Sequence, residues 1–227
     1  MKTLLLWDID GTLLASAGAG LRALVVALRQ EFGVEGTLDD IDWSGRTDRF
    51  IVRQILTKYG LPADEPTFAR YLAAYVAALP AEMTRAGSRV LPGVTALVER
   101  ADRSAEVTQG LLTGNIRTGA ETKLGHHDLW RFFAFGAFAN DSEFRNELGP
   151  HALRRATAHT GHAFDPGQVW IIGDTPHDIA CGKIIGARTL ALATGHHPLD
   201  ELAAHQPTAL RPDLSEVDDI WRLLTAS

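Results

Sequence analysis

The sequence predicts an α/β fold, a mostly parallel sheet covered by helices and interrupted after its first strand by a small helical unit. Three observations carry this expectation. Short apolar runs recur along the chain with helical patterns between them, which implies β-α-β units. The first apolar run, at residues 3–8, is followed by helical periodicity alone between residues 15 and 86. Three of the predicted strands end in polar residues, Asp8, Thr113 and Asp174, and ligands bind beyond the carboxyl ends of the strands in open α/β sheets.

The elements follow in order. Residues 3–8 read as a short buried strand that Gly11 and Thr12 break at once. Leu21, Leu24, Val25, Leu28 and Phe32 recur at helical spacing, and Gly33 and Gly36 end that helix. A second helix carries Phe50, Ile51, Ile55, Leu56 and Tyr59 and stops at Gly60-Leu61-Pro62. A third carries Phe68, Leu72, Tyr75, Val76 and Leu79, and is expected to halt at Pro80. After Gly87, Val90 to Pro92 leads into a helix with Val94, Leu97 and Val98. Strands are expected at 107–113, at 132–138, at 169–172 and at 188–193, with helices at 146–160 and 177–185. The chain shows no internal repeat and no low-complexity tract.

Composition narrows the function classes. The 227 residues are 45% hydrophobic and 22% charged, ordinary globular chemistry. A formal net charge of -6 gives no support to a nucleic-acid footprint. It leaves an anionic small substrate open, because a metal and a few local donors overrule the global field. The single cysteine, Cys181, rules out a disulfide framework within the chain and reads as a small buried helix residue. Asp8 and Asp10 end the first apolar run too early for a signal peptide or a membrane span, so a cytoplasmic protein without a membrane partner is expected, as monomer or homodimer. The paired histidines His126-His127 and His196-His197 do not suggest zinc, since adjacent residues rarely converge on one ion.

Four segments can carry chemistry. In Asp8-Ile9-Asp10-Gly11-Thr12, two carboxylates at the end of a buried strand repel unless a cation or proton intervenes. One can bind a hard metal and attack while the other holds a proton, or the segment is a solvated Asp-rich turn. Thr113-Gly114-Asn115 offers a hydroxyl and backbone N–H groups at a helix start, an anion site or a plain cap. Lys123, with Arg117 and Arg145 as competitors, can neutralise a phosphate. Asp174 and Asp178 can complete an oxygen-rich magnesium site with Asp8, or simply favour a helix dipole. His177, between those two, either touches a leaving group or caps the helix. Arg46, in Gly45-Arg46-Thr47-Asp48, either binds a substrate anion or closes a surface salt bridge; Trp43 nearby reads more as packing than as a ligand platform.

Taken together, the stretches WDIDGTL at 7–13, LLTGN at 111–115 and IIGDTPHD at 171–178 resemble the haloacid-dehalogenase-like hydrolase superfamily, in its order and approximate spacing. The resemblance spans nearly the whole chain. It implies a Rossmann-like parallel-sheet core at 1–14 and 87–227, with a small helical cap inserted at 15–86, as in the phosphoglycolate-phosphatase-like branch. It implies Asp8 as nucleophile, Asp10 as general acid/base with its backbone carbonyl on the metal, and Thr113 as phosphate-binding hydroxyl. Gly11, Thr12, Gly114 and Asn115 would line the phosphate site. Asp174 would be a magnesium ligand and Asp178 an acidic partner supporting that site. The superfamily's lysine often stands in a Lys-Pro segment, where this chain reads Phe144-Arg145-Asn146-Glu147-Leu148. Lys123 is therefore expected to bridge Asp8 and the phosphate, with Arg145 in reserve. The implied activity is a magnesium-dependent phosphomonoesterase that acts on a small phosphorylated metabolite through a phosphoaspartate. A phosphomutase, a haloacid dehalogenase or a non-catalytic domain on the same fold are the alternatives.

Overall fold

A computed structural model describes residues 2–85 and 87–226. The boundary expected between helical unit and core falls at Ala86, which lies outside the described residues, as do Met1 and Ser227. In chain order the elements are β1 (Thr3–Trp7), β2 (Leu14–Ala15), α1 (Ala19–Phe32), α2 (Asp48–Lys58), α3 (Glu65–Arg85), β3 (Arg89–Val90), α4 (Val94–Asp102), β4 (Val107–Leu112), α5 (Arg117–Gly125), β5 (Gly136–Ala137), α6 (Leu148–Thr160), β6 (Val169–Gly173), α7 (Pro176–Ile184), β7 (Arg188–Leu192), α8 (Leu199–Ala204), β8 (Ala209–Arg211) and α9 (Val217–Thr225).

Six strands form one parallel sheet in the order β5-β4-β1-β6-β7-β8. The chain fills the sheet leftward from β1 and then rightward through β6, so the strand order reverses beside β1. Crevices form at such a reversal, beyond the carboxyl ends of the strands. Both faces of β1 are buried, as a central parallel strand requires. Leu5 and Trp7 join Val94, Leu97, Leu124 and Ile220 on one face. Leu4 and Leu6 join Leu148, Ala152, Ile171 and Cys181 on the other. The register sets Trp7 opposite both Leu111 and Ile172. Asp8, Thr113 and Asp174 therefore leave the sheet at nearly the same height.

Helices α1, α2 and α3 form a helical cap with its own core, in which Leu28, Val52, Ile55, Phe68, Tyr71 and Leu79 pack together. Gly33 ends α1 in the left-handed region, at φ 66°, and returns its N–H to the Arg29 carbonyl. Thr47 caps α2, its hydroxyl accepting from the Phe50 N–H at 3.2 Å. The strands β2 and β3 pair antiparallel where the chain leaves and re-enters the sheet layer, Leu14 opposite Val90 and Ala15 opposite Arg89.

Three expectations need correction. Helix α3 does not halt at Pro80 but runs through it to Arg85. Pro80 is exposed, while Leu79, Glu82 and Met83 are buried, so packing on the inner face carries the helix past the missing N–H. The segment 132–138 is not one strand: a 3-10 turn covers Trp130–Phe132, and only Gly136 and Ala137 pair with β4. Its aromatic residues act as packing, Phe133 and Phe138 being buried against the core. The C-terminal elements α8, β8 and α9 have no counterpart in the sequence expectation.

Candidate active site

The residues of the first motif sit where β1 runs out. Asp8 donates its N–H to the Ile172 carbonyl at 2.9 Å, which ties it to the neighbouring strand and holds its side chain buried between β1 and β6. Gly11 has φ +80°, and a Cβ there would overlap the Asp174 carboxylate, so only glycine lets the loop close over that residue. Thr12 is fully buried and donates to Asp174 Oδ1 at 3.1 Å.

Asp174 follows β6, and α7 starts directly after it. Thr175 caps α7 in a reciprocal box with Asp178, which accepts from the Thr175 N–H at 3.1 Å and from its hydroxyl at 2.8 Å. The other Asp178 oxygen takes Arg145 Nη2 at 2.5 Å, so both oxygens of this carboxylate are engaged. One carboxylate oxygen from each of Asp8, Asp174 and Asp178 lies within 4.8 Å of the others. The side chain of Asp10, two residues from Asp8, is not part of that cluster.

The electrostatics follow from this crowding. Burial pushes the Asp8 carboxyl up to about 6; Arg145 pulls it down, and Asp178 and Asp10 push it up again. Burial likewise raises Asp174 well above the usual carboxylate range, and the charges of Asp8 and Asp178 add to the rise. Two buried acids whose ionisation is opposed by their neighbours call for a cation among them. An all-oxygen donor set with no soft ligand suits a hard divalent ion, so these residues fit magnesium.

Asp10 has different company. Burial alone would raise its carboxyl, but Lys123 Nζ at 2.6 Å, the Ser16 hydroxyl at 2.6 Å and Asn115 Nδ2 at 2.9 Å together hold it below the usual range. Lys123 also donates to Asn115 Oδ1 at 2.6 Å. Burial disfavours the Lys123 charge, yet Asp10, Tyr75 and Asp48 around it outweigh that and hold the ammonium protonated. Thr113, at the end of β4, is fully buried, and its hydroxyl accepts from Asn115 Nδ2 at 2.9 Å.

Arg145, expected only in reserve, takes the place beside Asp8 expected of Lys123, with Nη2 3.1 Å from Oδ1 and both side chains buried. Arg145 stands in the 3-10 turn before α6 and projects across the ends of β1 and β6. Lys123 is on α5, beyond the end of β4, and its reach is used up on Asp10 and Asn115. Arg46 pairs with Asp42 at 2.6 Å while lining the cavity above the site. Trp43 packs against the cap core as expected and also lines that cavity, edge-on to His196 with ring centroids 4.8 Å apart. His177 is outside this cavity and lines a small neighbouring cleft with Arg46 and Phe144.

The cap loop closes over the cavity through contacts with the core. The Asp48 N–H donates to the Gly114 carbonyl at 2.7 Å, and Asp48 Oδ2 accepts from the Ile116 N–H at 2.8 Å. A Cβ on Gly114 would overlap the Arg46 carbonyl, so the loop touches the core through that glycine. Arg53 grips Glu143 through two bonds, of 2.5 and 2.6 Å. The sequence reading missed Asp48 and Ser16 as site residues. Neither has a pattern to betray it, since each matters through a partner distant in sequence or through a turn.

Comparison with known proteins places this arrangement. The sequence profile described as haloacid dehalogenase-like hydrolase matches residues 5–183. A protein of Dickeya dadantii described as "Probable phosphatase IndB" is 26% identical over 229 residues, covering 96% of this chain and 92% of its own length. "Phosphoglycolate phosphatase 1" of Pseudomonas aeruginosa is 25% identical, covering 96% of this chain and 79% of its own. Among solved structures, CbbY from Rhodobacter sphaeroides in complex with phosphate superposes with a TM-score of 0.75 at 18% identity, covering 96% of each chain.

Proposed function

Because the chain belongs to the haloacid dehalogenase-like hydrolase family, we propose that it is a magnesium-dependent phosphomonoesterase that works through a phosphoaspartate on Asp8. The observation that carries the reading is the placement of Asp8. It is buried with Asp174 and Asp178 close by and Arg145 at 3.1 Å, at the floor of a cavity that also admits Asp10.

Asp8 and Asp174 would hold the cation, joined by the Asp10 backbone carbonyl, while Asp178 fixes Arg145 and the start of α7. When bound, magnesium supplies charge neutralisation between a carboxylate and the phosphoryl oxygens. The Asp8 carboxylate attacks phosphorus as the bond to the leaving oxygen breaks, and Arg145 stabilises the charge on the transferring group. Asp10 gives its proton to the leaving oxygen. Its carboxyl is held low in the free protein, and the negative charge of an arriving phosphate raises its proton affinity again. As a carboxylate, Asp10 then takes a proton from the water that attacks the acyl phosphate, releasing inorganic phosphate and restoring Asp8. Lys123 and Ser16 orient Asp10 through both steps. Gly114 and Asn115 line the same cavity, which sets the end of β4 beside an arriving phosphoryl group.

The test is phosphate release from p-nitrophenyl phosphate with magnesium, by the wild type and by Asp8→Asn. Turnover by the wild type with none by the variant supports the reading. Equal turnover by both contradicts it.

A further inference from the structure

The cavity above the carboxylates has a volume of about 540 Å³, in the range that encloses a whole small molecule. Charge is concentrated at its floor, where a phosphoryl group belongs. Higher up, the wall is made by Ala15, Leu21, Leu24, Trp43, Ile51 and Tyr75. Leu21 and Leu24 come from α1, Ile51 from α2 and Tyr75 from α3, so the cap turns hydrocarbon toward whatever is attached to the phosphate.

Most polar side chains of that wall are already engaged; His196, edge-on to Trp43, is exposed at the rim. Ser16 donates to Asp10 at 2.6 Å, and Ser44 is bonded to His197 at 3.0 Å. Arg46 is paired with Asp42 at 2.6 Å, and Asp48 accepts from the Ile116 N–H at 2.8 Å. Lys123 Nζ lies beside the Tyr75 hydroxyl. Arg89 also lines the cavity but is exposed at its rim. A polyol placed here would set most of its hydroxyls against carbon, or would have to break bonds the wall already makes, and unpaired polar groups are costly to bury. An apolar group gives up only its contact with water.

Resting on the phosphomonoesterase reading, we propose that the substrate is the phosphomonoester of an apolar alcohol, alkyl or aryl, and that the cap wall around Leu21 and Trp43 selects it over sugar phosphates and two-carbon phospho acids.

The experiment measures kcat/KM by phosphate release along the n-alkyl phosphates from ethyl to octyl, whose leaving alcohols are of similar acidity. Glucose 6-phosphate and phosphoglycolate are run alongside. Burial of each added methylene is expected to raise kcat/KM about fourfold over the first several carbons. Leu21→Asn alters a half-buried position and should flatten that slope. Calorimetric titration with ethylphosphonate and octylphosphonate in magnesium gives a readout without turnover, and octylphosphonate should bind at least about a hundredfold tighter. A flat or falling slope, equal phosphonate affinities, or a preference for glucose 6-phosphate or phosphoglycolate overturns the inference and leaves the phosphatase reading intact. An unchanged slope in folded Leu21→Asn overturns the role of the cap wall. Chain-length-dependent phosphonate binding with no phosphate released from any ester upholds the apolar site and defeats the phosphatase reading instead.

Discussion

Two buried cations divide the two aspartates of the first motif between them. Arg145 lies against Asp8 and Asp178, and Lys123 against Asp10. Their roles should separate in kinetics. Arg145→Ala removes the charge beside the nucleophile and is expected to slow transfer from every substrate by roughly 10²–10³. It also leaves buried carboxylates uncompensated, which costs about 3–5 kcal/mol of stability. Arg145→Lys should recover only part of the rate, since Nη2 serves both Asp8 and Asp178 while Nη1 holds the Gly45 carbonyl at 3.3 Å, and a shorter ammonium cannot keep all three. Lys123→Ala acts through Asp10, so for an aryl phosphate, whose leaving group needs no proton, the first step should fall by less than about tenfold. Stopped-flow measurement of the first turnover in folded variants checks this; the opposite ranking would return the phosphate-facing role to Lys123. This pair was the least legible part of the site. Asp8, Asp10, Asp174 and Asp178 are readable because strand ends place them, and a strand end is visible as an apolar run that stops. Arg145 and Lys123 are long side chains whose reach depends on the packing of α5 and of the turn before α6, and spacing says nothing about that.

At the scale of elements, the contact between the cap loop and the end of β4 rests on a buried acid. Burial pushes Asp48 up to about 6, only partly offset by Lys123 and the Ile116 N–H. The sign follows from the proton count. Between the unfolded value of 3.8 and about 6 the folded protein holds more proton than the unfolded chain, so stability falls as pH rises through that window. Asp48→Asn keeps the acceptor without the charge. It should be more stable than the wild type at pH 7, by on the order of 2–3 kcal/mol, with the difference gone below about pH 4. Urea unfolding at several pH values measures it, and a variant less stable at pH 7 and equally so at pH 4 would contradict the account. Legibility was uneven among the elements too. Strands β1, β4 and β6 are buried on both faces and read as continuous apolar runs. Strand β8 is half-buried and three residues long, too short to show a period. Helix α9, by contrast, carries Val217, Ile220 and Leu224 at helical spacing and was there to be found. Pro80 misled because a local rule was overruled by the packing of α1 on α3.

The whole molecule is a parallel sheet that gathers acids at the ends of β1 and β6 and a helical cap that roofs them with hydrocarbon. No helix among the described residues is long and apolar enough to cross a membrane. Gathering the acids costs stability, because burial and mutual repulsion raise both Asp8 and Asp174. A cation that binds only the folded state should return it, so magnesium is expected to raise the melting temperature at pH 7, and Asp174→Asn to abolish most of that rise. A melting temperature indifferent to magnesium in the wild type would argue against a metal at this cluster. The central claim, that Asp8 carries the phosphoryl group while Asp10 moves the protons, meets its most direct test in Asp10→Asn. That variant keeps the nucleophile but has no base for the second step. Mixed with p-nitrophenyl phosphate and magnesium and quenched in acid, it should give a burst of nitrophenol and an intact mass heavier by one phosphoryl group, and Asp8→Asn should give neither. A phosphoryl adduct that survives in Asp8→Asn, or an Asp10→Asn enzyme that turns over at the wild-type rate without accumulating one, would contradict the account.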